Sequence, residues 1–332
     1  MIVSLKIDVD TKQGYLEGVP RLAETLGELG VPATFCVAMG PDCSGRALRR
    51  FFTKRGFLSK MLRTRALSTY GWRTVLYGTL LPAPLITASD PQILRDLDEA
   101  GFEVIPHGWD HVSWHDFLTR WGPERTREEF DKACAEYEKH LGRPCHAFAS
   151  PGWQATDASL LVEEERGLVY SADVRGWRPF FPIVAGRRLR VLQLPTTLPT
   201  VDELLGRRDL AGMDARDYLL DLLRKPPTPL RPADSAEERA SRPDAGPTAA
   251  GGQPTGAGAI HVFTLHAEIE GGPWLEQFRY IVARLQDEGV RFMTLRELAQ
   301  AVQAGGEVRA GRVVMGTLPG RAGQVACQEG YV

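Results

Sequence analysis

Two short motifs place metal-binding and acid–base side chains directly after predicted strands. Asp8 and Asp10 end the first apolar run, and the alternation of side chains along a strand puts both carboxylates on one side. His107 and His111 follow another apolar run, and in a helical or tight-turn segment their spacing places both imidazoles on one face. Either motif alone is common, since strand ends often carry an aspartate in a turn. Together, one carboxylate and two imidazoles would form a metal site with open positions, leaving the second carboxylate for proton transfer.

The elements that must position these motifs alternate along the whole chain of 332 residues. Apolar runs rich in β-branched residues are followed by helical patterns, such as the one from Glu17 to Leu29. Capping-box spacing predicts further helix starts at Thr126 and Thr294. About six to eight such units predict a parallel α/β sheet, closed into a barrel or wound open, in a single domain over residues 1–332.

The composition is that of a folded protein, with 43% hydrophobic residues, 25% charged residues and a net charge of −2. This balance excludes a mostly disordered chain and a chain that is basic throughout. The acid at Asp8 comes too early for a signal peptide, and no apolar run is long enough for a membrane span. The five cysteines are odd in number and lack CxxC spacing, so we expect reduced thiols in a cytoplasmic protein.

Two segments depart from this pattern. Residues 43–89 carry nine basic residues and no acidic residue, interleaved with aromatic and aliphatic side chains. We expect this basic aromatic insertion to lie on an anionic membrane surface, although a structural cap or a nucleic-acid patch would have a similar composition. Residues 225–259 are dominated by Pro, Ala, Gly and Ser, and their lack of large apolar residues predicts a flexible insertion.

The order of the motifs is similar to that of the polysaccharide deacetylase (NodB-homology) family. The segments that carry this resemblance are Ile7–Thr11, Glu17–Leu22, Tyr70–Trp72, His107–His111, Pro195–Thr200 and His266–Gly271. The resemblance implies a distorted parallel (β/α) barrel and one divalent metal ion (zinc, cobalt, manganese or nickel) held by Asp10, His107 and His111. It also implies that Asp8 is the general base and that His266 is the general acid.

One motif of the family is altered in this chain. The family places an arginine where it orients the catalytic base, and Ala149 occupies that position here. We expect Arg175 to replace this cation beside Asp8, with Asp173 paired to Arg175. The alternative is that Arg175 and Asp173 form a plain surface pair.

Four further residues are candidates for binding a sugar substrate. Trp109 and Trp153 could stack on the sugar ring or pack in the core. Glu268 and Glu270 could hydrogen-bond to sugar hydroxyls or attract the amine product, or could face solvent. His115 continues the spacing of the histidine motif but lies outside the family pattern, so we expect a structural role for it.

Within the family, the chain resembles deformylases that act on undecaprenyl-phosphate 4-deoxy-4-formamido-L-arabinose at the cytoplasmic face of the inner membrane. This resemblance implies a peripheral membrane enzyme whose product serves lipid A modification and resistance to cationic peptides such as polymyxin. The expected partners are a polyprenyl-phosphate-linked amino sugar and an anionic membrane surface, with no nucleic acid and no obligate protein partner. Two alternatives stay open: a deacetylase of another N-acylated amino sugar, and an inactive peripheral membrane scaffold that has kept the barrel.

Overall fold

The computed structural model describes residues 1–49, 74, 76–205, 207–210, 212–230 and 259–332. In these ranges the strands are β1 (Ile2–Val9), β2 (Thr34–Val37), β3 (Glu103–Pro106), β4 (Ala147–Phe148), β5 (Tyr170–Ser171), β6 (Phe181–Val184), β7 (Arg187–Arg188), β8 (Leu192–Gln193), β9 (Ile260–His266), β10 (Arg291–Phe292), β11 (Ala310–Gly311), β12 (Val313–Thr317) and β13 (Gln324–Gln328). The α-helices are α1 (Val19–Leu29), α2 (Gln92–Glu99), α3 (His111–Phe117), α4 (Pro123–Leu141), α5 (Asp157–Glu165), α6 (Val201–Leu204), α7 (Ala215–Leu223), α8 (Leu275–Asp287) and α9 (Leu295–Ala304).

Parallel strands form a closed but irregular ring. β1 pairs with β9 on one side and with β2 on the other, β2 pairs with β3, and β10 joins the first two residues of β1. A second parallel sheet has the order β4-β5-β8. Two backbone hydrogen bonds of 3.1 Å link these sheets, from Ala149 N to Pro106 O and from Thr197 N to Val262 O. The predicted distorted parallel barrel is therefore confirmed.

The central strand β1 is buried along almost its whole length. Val3, Leu5, Ile7 and Val9 are fully buried on one face of β1, and Ser4, Lys6 and Asp8 on the other face are buried as well, as expected for a parallel strand that is covered on both faces. The predicted helix from Glu17 to Leu29 is α1 preceded by a π-helical turn over Gly14–Gly18. In that turn a Cβ on Gly14 would lie 2.1 Å from Glu268 Oε1, so the chain can pass this close to the strand end only as glycine.

One of the two predicted capping boxes is present. Thr294 caps α9, and Glu297 accepts a hydrogen bond from Thr294 N at 2.8 Å. The prediction of a helix start at Thr126 is wrong, because α4 already begins at Pro123 after Gly122. Pro123, which suits the first helical position, starts the helix three residues earlier, and Thr126 Oγ1 donates to Gly122 O at 3.0 Å inside the first turn.

The C-terminal residues form an antiparallel hairpin, β12–β13, that the sequence did not predict. The hairpin is fastened to the barrel by Arg175, whose backbone N–H donates to Ala326 O at 2.9 Å and whose carbonyl accepts from Gln328 N at 2.7 Å. A second small sheet has the order β11-β6-β7. The hairpin therefore lies against the chain that follows β5.

The two predicted insertions lie largely outside the described residues. Residues 50–73 and 75 of the basic aromatic insertion and residues 231–258 of the second insertion are not described. Their membrane and flexibility assignments therefore stay predictions. Among the residues that the structure describes, no helix has both the length and the apolar character needed to cross a bilayer.

Two of the five cysteines form a disulfide, which corrects the expectation of reduced thiols throughout. Cys134 in α4 is bonded to Cys145, and their Cα atoms lie 5.8 Å apart. The pairing is possible because Gly142 ends α4 in a left-handed conformation, with φ +67°, and turns the chain back along the helix. Cys36, Cys43 and Cys327 are free and buried.

We expect the double variant Cys134→Ser/Cys145→Ser to lose about 3 kcal/mol of unfolding free energy under oxidising conditions, since the bond closes a short loop in the unfolded chain. Urea unfolding of both proteins, with and without dithiothreitol, measures this loss. With dithiothreitol the two curves should coincide. Equal stability in the oxidised state would contradict a stabilising disulfide.

A buried histidine in β9 predicts a pH-dependent stability. His261 Nε2 donates to Lys225 O at 2.9 Å, and burial lowers its pKa to about 4, from 6.5. Between pH 6.5 and about pH 4 the unfolded chain binds a proton at His261 that the folded chain does not bind. The contribution of His261 to the unfolding free energy is therefore fully present above pH 6.5 and is lost as the pH falls through this range. We expect His261→Asn to remove about 2 kcal/mol of the stability difference between pH 7 and pH 5. Urea unfolding at both pH values tests this, and equal pH dependence in both proteins would refute it.

Candidate active site

The predicted acid–base residues lie at the carboxyl ends of neighbouring strands. Asp8 and His266 are Cα partners in the pairing of β1 with β9. On the other side of β1, β2 pairs with β3, and His107 follows β3 with its backbone N–H donating to Val37 O at 2.7 Å. Because these strands are parallel, their carboxyl ends meet at one edge, where barrel enzymes place their catalytic groups.

A tight turn brings His111 back towards His107. Gly108 has φ +77°, and a Cβ there would lie 2.7 Å from Pro151, so only glycine fits this position. Asp110 then caps α3 by accepting a hydrogen bond, at 2.9 Å, from the N–H of the third helical residue. The cap starts the helix at His111 and leaves the two imidazole centroids 5.3 Å apart.

Asp10, His107 and His111 form a group that can hold a metal ion. Their ligand atoms all lie within 4.8 Å of one another. Asp10 Oδ1 lies 3.4 Å from Nε2 of each histidine, and this buried oxygen has no hydrogen-bond partner among the described residues. His107 Nδ1 must donate to Ala149 O, 2.8 Å away, which leaves the Nε2 lone pair for a ligand. The donor set therefore fits a divalent cation.

The charge state of Asp10 suits this role. Burial opposes ionisation of the carboxyl, but the neighbouring His111 and His107 imidazoles hold its pKa well below the usual value. A carboxyl must be deprotonated to bind a cation. The arrangement therefore keeps Asp10 in its ligand form.

A buried lysine supplies the cation beside Asp8. Lys6 precedes Asp8 by two residues in β1, so the two side chains share one side of the strand. Lys6 Nζ donates to both carboxylate oxygens of Asp8, at 2.6 Å to Oδ2. The side chains are 1% and 4% exposed, so water screens this ion pair little. The prediction that Arg175 occupies this position is therefore wrong.

Arg175 and Asp173 belong to separate buried networks. Arg175 Nη1 donates to both carboxylate oxygens of Glu203, at 2.8 and 3.1 Å. Asp173 accepts from Ser150 N at 2.8 Å and from Gln193 Nε2 at 2.7 Å. The predicted Arg175–Asp173 pair does not form, because each group already has a nearer buried partner. Both residues are buried, so the alternative of a surface pair is also wrong.

Of the two candidate tryptophans, Trp153 packs in the core. Its side chain is 2% exposed, and its Nε1 donates to Thr196 Oγ1 at 2.9 Å. Its ring lies edge-on to His266, with centroids 6.4 Å apart. Trp109 is half-buried against Gly40, where a Cβ would lie 2.6 Å from the indole. Sugar stacking is thus excluded for Trp153 and stays a prediction for Trp109.

Glu268 and Glu270 accept hydrogen bonds from backbone N–H groups at the carboxyl ends of β1 and β9. Glu268 Oε1 accepts from Thr11 N at 2.9 Å, and Glu270 Oε2 accepts from His266 N at 2.8 Å. Burial raises the pKa of each carboxyl to about 8, and the charge of Asp10 adds to the rise at Glu268. The solvent-facing alternative is therefore wrong for both, while contact with the sugar stays a prediction.

Two site residues were missed by the sequence analysis. Lys6 could have been found, because a lysine inside an apolar strand requires a buried counter-charge. Asp202 could not, since it reaches the site only through the packing of α6. Asp202 Oδ1 accepts from Thr200 Oγ1 at 2.5 Å and lies 3.9 Å from His266 Nδ1. This separation is longer than a hydrogen bond, so Asp202 can act on the imidazole only through its charge.

The comparisons with known proteins agree with this geometry. The family model for polysaccharide deacetylase matches residues 8–171, which include Asp8, Asp10, His107 and His111. This match spans just under half of the chain, and two relatives extend the similarity into the part that contains His266.

Two relatives are similar over most of the chain. The "Probable 4-deoxy-4-formamido-L-arabinose-phosphoundecaprenol deformylase ArnD" of Shewanella sediminis (strain HAW-EB3) is 31% identical over 296 residues, covering 89% of this chain and 85% of the relative. The protein of the same name from Wigglesworthia glossinidia brevipalpis is 26% identical over 313 residues, which cover 94% of this chain and 97% of the relative. A probable polysaccharide deacetylase from Pseudomonas aeruginosa PAO1 shares the fold, with a TM-score of 0.56, 14% identity and 91% of both chains covered. The chain therefore belongs to the polysaccharide deacetylase family and is a hydrolase of amide bonds.

Proposed function

We propose that this protein is a metal-dependent deformylase that converts undecaprenyl-phosphate 4-deoxy-4-formamido-L-arabinose to formate and the free amino sugar. The observation that carries the proposal is the meeting of Asp8, His266 and the Asp10–His107–His111 group at one strand edge. The names of the two relatives support the choice of substrate.

Asp10, His107 and His111 would hold the metal ion. When bound there, a divalent cation supplies Lewis-acid polarisation of the formamide carbonyl and lowers the pKa of water. Asp10 contributes the negative charge, and the hydrogen bond from His107 Nδ1 to Ala149 O fixes the orientation of one imidazole.

The remaining site residues move the protons. Asp8 accepts a proton from the attacking water, and its position is fixed by the two hydrogen bonds from Lys6. His266 donates a proton to the departing C4 nitrogen of the sugar as the C–N bond breaks. The hydrogen bond from the backbone N–H of His266 to Glu270 fixes the chain at this residue, and the Asp202 carboxylate lies 3.9 Å from the imidazole Nδ1. One water is consumed, and formate and the amine leave.

The proposed substrate implies where the enzyme works. A lipid-linked sugar is reached only at a membrane surface, so the proposal includes peripheral binding to the cytoplasmic face of the inner membrane. Transfer of the cationic amino sugar to lipid A would offset phosphate charge and weaken the binding of peptides such as polymyxin.

Formate release from the purified lipid-linked substrate tests the proposal. We expect release that stops after chelation and returns when one of zinc, cobalt, manganese or nickel is restored. The N-acetyl analogue is the matched substrate. Preferred hydrolysis of the acetyl compound would replace the deformylase with a deacetylase, and no release with any metal would reject both.

A further inference from the structure

Trp153 has a backbone conformation that a tryptophan rarely adopts. Its φ is +54°, and Gly152 before it has φ +61°, so two successive residues are left-handed. A residue with a Cβ is strained in this region, and such strain persists only where the surrounding contacts over-determine it. The turn leaves the indole 2% exposed, in contact with side chains of β1 and β9.

The indole lies beside both halves of the acid–base pair. Asp8 and His266 are opposite each other in the pairing of β1 with β9, and Lys6 shares the side of β1 that carries Asp8. The Lys6 Nζ atom lies 5.5 Å from the centroid of the Trp153 ring. The same ring lies edge-on to the His266 imidazole, with centroids 6.4 Å apart. One side chain therefore contacts both the cation that holds the general base and the general acid.

Further contacts fix the indole in this place. Trp153 Nε1 donates to Thr196 Oγ1 at 2.9 Å, and Thr196 Oγ1 lies 2.7 Å from Thr264 Oγ1 in β9. The guanidinium carbons of Arg175 and Arg321 lie 4.8 and 4.5 Å from the ring centroid, within the range of a cation–π contact. The two arginine side chains are 2% and 10% exposed, so water weakens these contacts little. The indole cannot shift without breaking several of them.

Arg321 brings the C-terminal hairpin to the indole. It lies in the turn between β12 and β13, and its Nη2 donates to Gly152 O at 3.1 Å. Its Nη1 lies 3.4 Å from Glu203 Oε1, but Arg175 already donates to both oxygens of that carboxylate. Glu203 therefore keeps a cation without Arg321. The contacts particular to Arg321 are those with the Gly152 carbonyl and with the ring of Trp153.

We propose that Trp153 is a positioning residue for the reaction and that Arg321 acts on it from the hairpin. The buried indole works through its neighbours: it holds the His266 imidazole in a fixed place relative to the Lys6–Asp8 pair. The inference rests on the proposed function, which gives Asp8 and His266 their roles. A general acid must lie where the leaving nitrogen departs, and a displacement of about 1 Å can lower the rate by about 10²-fold.

Formate release by substituted proteins tests the proposal. Trp153→Leu should lower kcat by about 10²-fold with little change in KM, because the indole is buried away from the substrate. Trp153→Phe keeps an aromatic edge and a face for the cations, so it should retain most of kcat. Trp121→Leu is the matched control and should keep the kcat of the unaltered protein. Trp121 also carries an arginine over its ring, Arg125 at 5.6 Å, and lies edge-on to Trp114 at 5.9 Å, but these partners lie in α4 and α3.

Arg321→Met measures the contribution of the hairpin. It should lower kcat by a smaller factor than Trp153→Leu does. The double variant Trp153→Leu/Arg321→Met should be no slower than Trp153→Leu alone, because Arg321 acts through the indole. Factors that multiply in the double variant would contradict this part of the proposal.

The NMR signals of His266 provide a measurement without turnover, in the full chain labelled with ¹³C at histidine and assigned with His266→Gln. We expect one sharp set of imidazole signals in the unaltered protein and in Trp153→Phe. Trp153→Leu should give broadened or doubled signals, because the imidazole gains orientations. If the cavity left by leucine prevents folding, Arg321→Met provides the same comparison.

An unchanged kcat or an unchanged His266 signal in the folded variant would overturn the proposal, since a merely structural tryptophan affects only stability. The two proposals can fail separately. If the His266 signals broaden as expected but the unaltered protein releases no formate from the lipid-linked formamide, the deformylase is rejected and the positioning of His266 is not.

Discussion

Replacing Lys6 by methionine is expected to abolish most of the activity and to lower the stability of the fold. The substitution keeps an unbranched side chain but leaves the Asp8 carboxylate buried without its cation. Removing one partner of a buried ion pair costs about 3–5 kcal/mol, a large part of the roughly 5–15 kcal/mol that stabilises a domain. If Asp8 takes up a proton to escape this cost, it can no longer accept one from water. The loss of a general base lowers kcat/KM by about 10²–10⁴-fold.

A double-mutant cycle separates the two effects. Urea unfolding of Lys6→Met, Asp8→Asn and the double variant should show that the double variant is more stable than either single variant, because no unpaired charge remains. Its activity should stay as low as that of Asp8→Asn. Lys6→Arg, which keeps the cation, should retain far more activity than Lys6→Met. A Lys6→Met protein with full turnover would show that the ion pair is not needed.

Replacing His111 by glutamine is expected to remove metal binding and activity together. His111 supplies one of the three ligand atoms, and two ligands alone do not define a stable site. Loss of groups that only support a ligand already costs about 10–100-fold in metal affinity, so we expect a larger loss here. The added cation should raise the Tm of the unaltered protein. A free cation concentration of about 100 times the Kd raises the unfolding free energy by about 2.7 kcal/mol. The Tm of His111→Gln should not respond.

His115→Gln is the matched control for this experiment. His115 lies one helical turn further along α3, and its ring stacks on that of His111 with centroids 6.5 Å apart. It is not part of the metal-ligand group, and its Nδ1 lies 2.9 Å from Asp116 Oδ1. His115→Gln should keep its metal content by elemental analysis, its Tm response and its formate release. Equal metal loss in both variants would place His115 among the ligands and contradict the three-residue site.

Local patterns were enough to predict the main strands of the barrel and a group of one carboxylate and two imidazoles, while the choice of Asp10 over Asp8 came from the family resemblance. The Asp8–Asp10 and His107–His111 motifs follow strands whose apolar runs are visible in the sequence, and parallel pairing brings strand ends to one edge. The Thr294 capping box was also visible, because both of its partners lie within one turn. The start of α4 was misplaced because Thr126 has the right spacing but its hydroxyl bonds inside the helix.

The sequence by itself therefore determined the parallel barrel and the strand ends that carry Asp8, Asp10, His107 and His111, because these depend on short periodicities. The roles of Asp8 as general base and of His266 as general acid came from the family resemblance and stay predictions. The cation that faces Asp8 was missed, although a lysine inside the first apolar strand pointed to it, and the tertiary structure identified it as Lys6. Arg175 was the expected one, but the capping box of α6 brings Glu203 to Arg175, while Lys6 already shares a strand face with Asp8. The disulfide and the C-terminal hairpin were also not predicted from the sequence. Each joins residues far apart along the chain or on opposite sides of a turn, and such contacts are set by packing, which no local pattern records.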